Sequence, residues 1–243
     1  MAPAAIFSVE GNIGTGKSTL LAELEKQFEN HPDICYLKEP VDVWTSIKDK
    51  NGISILEKYY ENQTRYAFPF QMMAFISRLS ALRDALKRNY KVILMERSLY
   101  TDCNVFAKML FDDEKIEDIE YAIYQKWFQD FIQELPPISF IYLQNDPIIS
   151  AKRVEKRGRQ GENTIPLAYL ENCHKYHEEW LFKNNTRPLL VLDANVDIMD
   201  NPEILQKWFA QIKSFINEPT GIFDQKSLYS LNDIAYYIQN MIF

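Results

Sequence analysis

Eight residues near the start constrain the chain more than any others: Gly11-Asn12-Ile13-Gly14-Thr15-Gly16-Lys17-Ser18. They match the spacing GxxxxGK[ST] and lie between an apolar run at 5–9 and an amphipathic stretch at 17–30. In that stretch Leu20, Leu21, Leu24 and Phe28 recur at helical spacing. A strand that passes into a helix through such a loop aims several backbone N–H groups at one point. The result is an anion nest reinforced by the helix N-terminus. Lys17 adds positive charge for terminal phosphates, and the Ser18 hydroxyl is placed to reach Mg²⁺. The chain is therefore expected to be an α/β protein that binds a nucleoside triphosphate.

The remaining pattern agrees. Short apolar runs at 35–38, 92–95, 140–143 and 189–192 alternate with longer helix-like segments, which predicts a five-stranded parallel sheet flanked by helices. Helices are expected at 41–61 (interrupted at Asn51-Gly52), 68–88 with Pro69 near its start, 99–110, 117–134, 146–157, 166–182 and 202–216. One domain is expected over 1–216, followed by an extension at 217–243 whose role is unreadable.

A net charge of −7 with no long basic run argues against a nucleic-acid binder. No run approaches the length of a membrane span, and the first residues carry no signal or transit pattern, so a cytoplasmic protein is expected. Cys35, Cys103 and Cys173 are scattered and odd in number, which suits reduced thiols. His174 and His177 lack further ligands at metal spacing and are expected as exposed helix side chains.

Three further clusters sit where strand ends open onto a ligand crevice. Glu39-Pro40-Val41 follows the second strand, and Glu39 can accept the proton of an attacking hydroxyl. Glu96-Arg97-Ser98 ends the third strand; Glu96 can hold Mg²⁺, and Arg97 can brace the acceptor oxygen and the phosphoryl group. Arg153, Arg157 and Arg159, broken by Gly158, can clamp phosphates as a lid over 153–163.

Taken in order, Glu39-Pro-Val, Phe70-Gln71 with Ser77-Arg78, Glu96-Arg-Ser-x-Tyr-x-Asp102 and Arg153-x-x-x-Arg-Gly-Arg159 resemble the deoxycytidine/deoxyguanosine kinase group of deoxynucleoside kinases. The resemblance runs from Ile6 to Ile216. It implies transfer of the γ-phosphate of ATP, or another triphosphate, to the 5′-hydroxyl of a deoxynucleoside. Glu39 matches the family's base catalyst, Arg97 its 5′-side arginine and Glu96 its magnesium glutamate. Residues 11–19, Thr19 included, match its donor loop, and Asp197 and Ile198 its adenine-contacting segment. Tyr60 matches the tyrosine at the sugar 3′-hydroxyl, with Glu162 in the lid as its partner. Phe70 and Phe106 match the aromatics around the base, and Val41, Trp44, Leu56 and Ala74 complete the implied nucleoside pocket. A homodimer formed through helices beside the sheet is implied as well.

Gln71 presents a carbonyl and an amide side by side and can pair with cytosine N4/N3 or adenine N6/N1. Arg78 lies two helical turns further on, where Asp102 can hold it by a forked ion pair. The Gln71 amide can also flip to suit other bases, so the residues alone leave the base open. Within the family, an Arg/Asp pair at these positions resembles the deoxycytidine and purine-deoxynucleoside kinases, which implies a preference for those substrates over thymidine without ranking cytosine, adenine and guanine. A nucleoside monophosphate kinase is the nearest rival, but Glu39-Pro-Val suits a hydroxyl acceptor better than a phosphate. A scaffold relative would be expected to lose Lys17, Glu39 or Glu96.

Overall fold

A computed structural model describes residues 3–29, 31–158 and 165–223. The chain divides into two compact units, Met1–Val196 and Asp197–Phe243. The first holds strands β1 (Ala5–Glu10), β2 (Ile34–Leu37), β3 (Val92–Glu96), β4 (Ile138–Gln144) and β5 (Leu189–Asp193). Its helices are α1 (Lys17–Gln27), α2 (Val41–Ser46), α3 (Ile55–Glu61), α4 (Gln63–Leu86), α5 (Leu99–Thr101), α6 (Lys108–Asp112), α7 (Asp118–Ile132), α8 (Pro147–Arg157) and α9 (Leu167–Glu178). The second unit contains α10 (Pro202–Thr220), which runs past the expected end at 216.

The strands form one parallel sheet in the order β2-β3-β1-β4-β5. Chain direction across the sheet therefore reverses beside β1, the topological switch point at which parallel α/β sheets hold ligands. On one face, Ile6, Ile93, Met95, Ile138, Phe140 and Tyr142 pack against Leu82 and Ala85 of α4, Val105, Trp180 and Leu181. Strand residues two apart share this face, as the pleat requires.

Several boundaries have local causes. The expected 41–61 helix is two helices separated by a turn at Asp49–Gly52, where the Asp49 carboxylate accepts the amides of Asn51 and Ile53. Ser54 and Glu57 then form a reciprocal capping box that starts α3. Helix α4 begins earlier than expected because the Asn62 side chain accepts the Arg65 amide, so Pro69 lies inside the helix. Between α5 and α6 the chain takes π-helical turns at Asp102–Ala107, and π-helical turns at Glu179–Asn184 continue α9. Such turns commonly accompany functional sites.

Candidate active site

The phosphate loop connects β1 to α1 with the geometry its sequence requires. Gly11 has φ +142°, and a Cβ there would lie 2.7 Å from the Leu143 carbonyl oxygen, so neither the conformation nor the space admits a side chain. Asn12 anchors the loop: its Nδ2 donates to the Leu170 carbonyl of α9 at 2.8 Å, and its Oδ1 accepts the Ile13 amide. Thr15 Oγ1 donates back to the Asn12 carbonyl. Gly14 lies against the Ser150 carbonyl of α8, and Gly16 is the left-handed N-cap of α1. Lys17 is buried, and its ammonium donates to the Asn12 carbonyl at 2.5 Å. Burial, with Arg97 close by, lowers the Lys17 pKa to about 7. A buried ammonium so weakened fits an anionic ligand that would restore its charge. Ser18 Oγ donates to Glu96 Oε1 at 2.7 Å, so two hard oxygen donors meet at the helix N-terminus, as a Mg²⁺ site needs. Thr19 follows on the exposed side of α1.

Across the crevice, four charged groups meet: Glu39 beyond β2, Arg97 at the end of β3, Arg78 from α4 and Asp102 from the π-helical turns after α5. Glu39 Oε1 accepts from Arg97 Nη1 at 2.7 Å and from Arg78 Nη2 at 3.3 Å. Burial pushes the Glu39 carboxyl up, but Arg97, Arg78 and Lys17 outweigh it and hold the group at about 2. Arg78 also forks onto Asp102, with Nε to Oδ2 at 2.9 Å and Nη2 to Oδ1 at 3.3 Å, and its Nη1 donates to the Glu96 carbonyl. Asp102 is fully buried, and burial outweighs Arg78 in raising its pKa. Arg97 adopts φ +59°, a left-handed conformation that costs a non-glycine residue about 1–2 kcal/mol. Its amide donates to the Val9 carbonyl at 3.0 Å, and its guanidinium lies 5.2 Å from the Phe106 ring centre.

Aromatic side chains cluster around the turns of α4 that carry Gln71. Phe70 stacks on Tyr59 at 4.5 Å and meets Trp44 edge-on at 5.4 Å. Trp44 Nε1 donates to Ser77 Oγ. Leu56 and Ala74 belong to the same cluster, with Val41 and Tyr60 packed against it. Gln71 is buried, and its Oε1 has no hydrogen-bond partner among the described residues. A buried amide oxygen left open in this way is a vacant acceptor of the kind a nucleobase amino group fills.

Other expected residues lie differently. Arg153 donates Nη1 to the Ala194 carbonyl and Nη2 to the Val196 carbonyl, both at 2.9 Å, so it ties α8 to the chain beyond β5. Arg157 ends α8, near enough to depress the Lys17 ammonium further. Arg159 and Glu162 lie outside the described residues, as does most of the 217–243 extension. Asp197 and Ile198 open the second unit, where the Asp197 carboxylate accepts the Met199 amide. His177 corrects an expectation: it is fully buried, with Nδ1 at 2.7 Å from the Cys173 carbonyl and its ring stacked on Tyr142. It shares one face of α9 with Cys173, four residues earlier and equally buried, and burial pushes its pKa down to about 3. All three cysteines are free, and no cluster of metal-ligating side chains occurs among the described residues.

Sequence reasoning missed three contacts. It placed Arg78 against Asp102 but not against Glu39. It passed over Tyr59, whose ring stacks on Phe70 and whose hydroxyl lies 2.9 Å from that of Tyr169. It also passed over Glu10, described below. No local pattern signals these, because each partner comes from a distant element.

A phosphate loop at the switch point of a parallel sheet, with a carboxylate beyond β2 clamped by one arginine from the end of β3 and one from α4, places the chain among the P-loop kinases. Comparison with known proteins narrows the class. The deoxynucleoside kinase family profile matches residues 7–217. The chain is 36% identical over 241 residues to deoxycytidine kinase 2 of Gallus gallus, covering 86% of this chain and 89% of that protein. It is 34% identical to deoxycytidine kinase of Homo sapiens (87% and 90% covered), and 29% identical to the mitochondrial deoxyguanosine kinase of Xenopus laevis (86% and 89%). The chain belongs to the deoxynucleoside kinase family. It is an enzyme, a phosphotransferase acting on a deoxynucleoside, and no helix among its described residues is long and apolar enough to cross a membrane.

Proposed function

We propose that the enzyme phosphorylates the 5′-hydroxyl of deoxycytidine and purine deoxynucleosides, with ATP as donor and Mg²⁺ as the metal. The observation that carries the base preference is the open Gln71 Oε1 on the same helix as Arg78, whose guanidinium is forked by Asp102. That oxygen accepts from an exocyclic amino group, which cytosine and adenine carry and thymine lacks, while the Gln71 amide donates to the adjacent ring nitrogen. Phe70 and Phe106 hold the base between them, and Ala74 leaves room beside it. Val41, Trp44, Leu56 and Tyr60 line the nucleoside, with Glu162 as partner of Tyr60 at the sugar.

Glu39 orients the 5′-hydroxyl and takes its proton, and Arg97 bridges Glu39 to the transferring group. Held near 2 in the free enzyme, Glu39 is a weak base; its main contribution is position, in keeping with a transition state that asks little of the nucleophile. Residues 11–19, Lys17 above all, cradle the donor phosphates, with Arg157 adding positive charge there. Ser18 and Glu96 would hold Mg²⁺, which would neutralise charge on the phosphates.

Steady-state assays with ATP and Mg²⁺ on the four natural deoxynucleosides and thymidylate test this reading, with Glu39→Gln as control. Turnover of deoxycytidine or a purine deoxynucleoside, lost in the variant, supports it. Turnover of thymidine alone refutes the use made of Gln71 and Arg78, and turnover of thymidylate alone refutes the hydroxyl acceptor.

The protein acts as a homodimer. On α7 the exposed Ile119, Ile123 and Trp127 recur every four residues, and Ile76 is exposed on the neighbouring α4. Such an apolar stripe suits burial against a second copy. Three free thiols suit a reducing, cytoplasmic compartment.

A further inference from the structure

Glu10 is the last residue of β1 and precedes the phosphate loop directly. It is completely buried. Its carboxylate is held by hydroxyls: Ser8 Oγ donates to Oε1 at 2.7 Å, Ser98 Oγ to Oε1 at 2.6 Å, and Thr101 Oγ1 to Oε2. No lysine, arginine or histidine forms an ion pair with it among the described residues. A buried carboxylate held by hydroxyl hydrogen bonds, with the Arg78 charge acting on it only at longer range, is an expensive feature to maintain, and the two long-range hydroxyl partners show what it holds.

Ser98 is the N-cap of α5, two residues after β3 ends, and Thr101 is the last residue of that single helical turn. Ser98 follows Arg97, the residue in the strained left-handed conformation whose guanidinium reaches Glu39. Thr101 precedes Asp102, the residue that forks Arg78. One carboxylate thus fixes both ends of a four-residue turn. At one end that turn aims the arginine at the transfer centre; at the other it aims the acid that orients the arginine beside the base. The strain at Arg97 persists only where its surroundings over-determine it, and the supports here come from two consecutive residues of β1: the Val9 carbonyl, which accepts the Arg97 amide, and the Glu10 carboxylate, which holds Ser98.

We infer that Glu10 is a positioning residue that acts through two separate hydroxyls, using Ser98 to hold Arg97 for phosphoryl transfer and Thr101 to hold Asp102 and Arg78 for nucleoside selection. The inference rests on the proposed reading of Arg97 and Arg78.

Its signature is a division of kinetic effects that general loosening of the fold would not produce. Misplacement of a group by about 1 Å can cost up to about 100-fold in rate. Ser98→Ala is expected to lower kcat by about tenfold or more while the nucleoside KM stays within about twofold of wild type. Thr101→Val is expected to raise the nucleoside KM about tenfold and to flatten the ranking of bases, with kcat within about twofold. Glu10→Ala combines both effects; should it fail to fold, the hydroxyl variants decide. Amide hydrogen exchange supplies a readout independent of turnover: the Arg97 N–H, bonded to the Val9 carbonyl, is expected to exchange faster in Ser98→Ala but not in Thr101→Val. Wild-type kinetics and exchange in both hydroxyl variants overturn the inference, as do equal losses of kcat and KM in both. Wild-type turnover abolished by Glu39→Gln keeps the proposed function standing whatever those variants do.

Discussion

Glu39→Gln separates the electrostatics of the site from its shape. Glutamine keeps the size of the side chain and one acceptor oxygen for Arg97 and Arg78, removes the charge and turns the second oxygen into an amide donor. In the folded protein the two guanidiniums and Lys17 hold the Glu39 carboxyl at about 2, against 4.5 for an ordinary glutamate. At about 1.4 kcal/mol per tenfold, that difference corresponds to roughly 3 kcal/mol of folding stability resting on one ionised carboxylate. Its side chain is only 14% exposed, so solvent screening removes little of this. Because the folded carboxyl titrates below the unfolded one, the stabilisation is complete above pH 4.5 and is lost as the pH falls toward 2.

Urea unfolding followed by tryptophan fluorescence, on wild type and variant side by side, measures the difference. Taking the difference cancels the other groups that titrate in the same range. Wild type is expected to exceed the variant by about 3 kcal/mol from pH 8 to about 5, and the gap to narrow below pH 4.5. A gap under about 1 kcal/mol at pH 7, or one that widens in acid, would refute the assignment of Glu39 as the anion that binds the arginines together.

Other expected outcomes are as follows. At pH 8 the buried Lys17, lowered to about 7, is mostly neutral. ADP binding should therefore take up protons, seen as a dependence of calorimetric heat on buffer ionisation enthalpy, and Lys17→Met should abolish that dependence. Asp102→Ala leaves the buried Arg78 without its fork and is expected to cost up to about 3–5 kcal/mol in unfolding experiments; Arg78→Met in the same chain should recover a large part. Gly11→Ala should abolish measurable ADP affinity, since its Cβ meets the Leu143 carbonyl. Trp127→Glu should shift the sedimentation coefficient to that of a monomer without altering kcat.

The strands and the phosphate loop were legible in the sequence because their signals are local: an apolar run, a fixed glycine spacing, a helical repeat. Glu39, Glu96 and Arg97 could be placed at the crevice because each follows an apolar run in an alternating α/β pattern. What escaped depends on elements far apart in the chain. Glu10 reads as a charge at a strand end, and its burial is intelligible only once Ser98 and Thr101 are seen around it. The π-helical turns after Thr101 help set how Asp102 faces Arg78, and no residue preference marks them. With no further ligand at metal spacing, His177 reads as an exposed helix side chain; four residues from the buried Cys173, it instead lies against Tyr142. Pro69 was placed near a helix start by the usual rule, whereas α4 begins six residues earlier, after the Asn62 cap.

The strand order has a consequence for how the chain is made. Among the described residues, β1 pairs only with β3 and β4, and β2 only with β3. Neither of the first two strands has any neighbour in the sheet until Val92–Glu96 has left the ribosome. At about 5–20 residues per second, the apolar strand carrying the phosphate loop waits roughly 4–17 seconds without a partner. A nascent chain arrested before position 90 presents two unpaired strands and the apolar face of α1 with nothing to cover them, so the first third of this protein is where ribosome-associated chaperones would have most to hold.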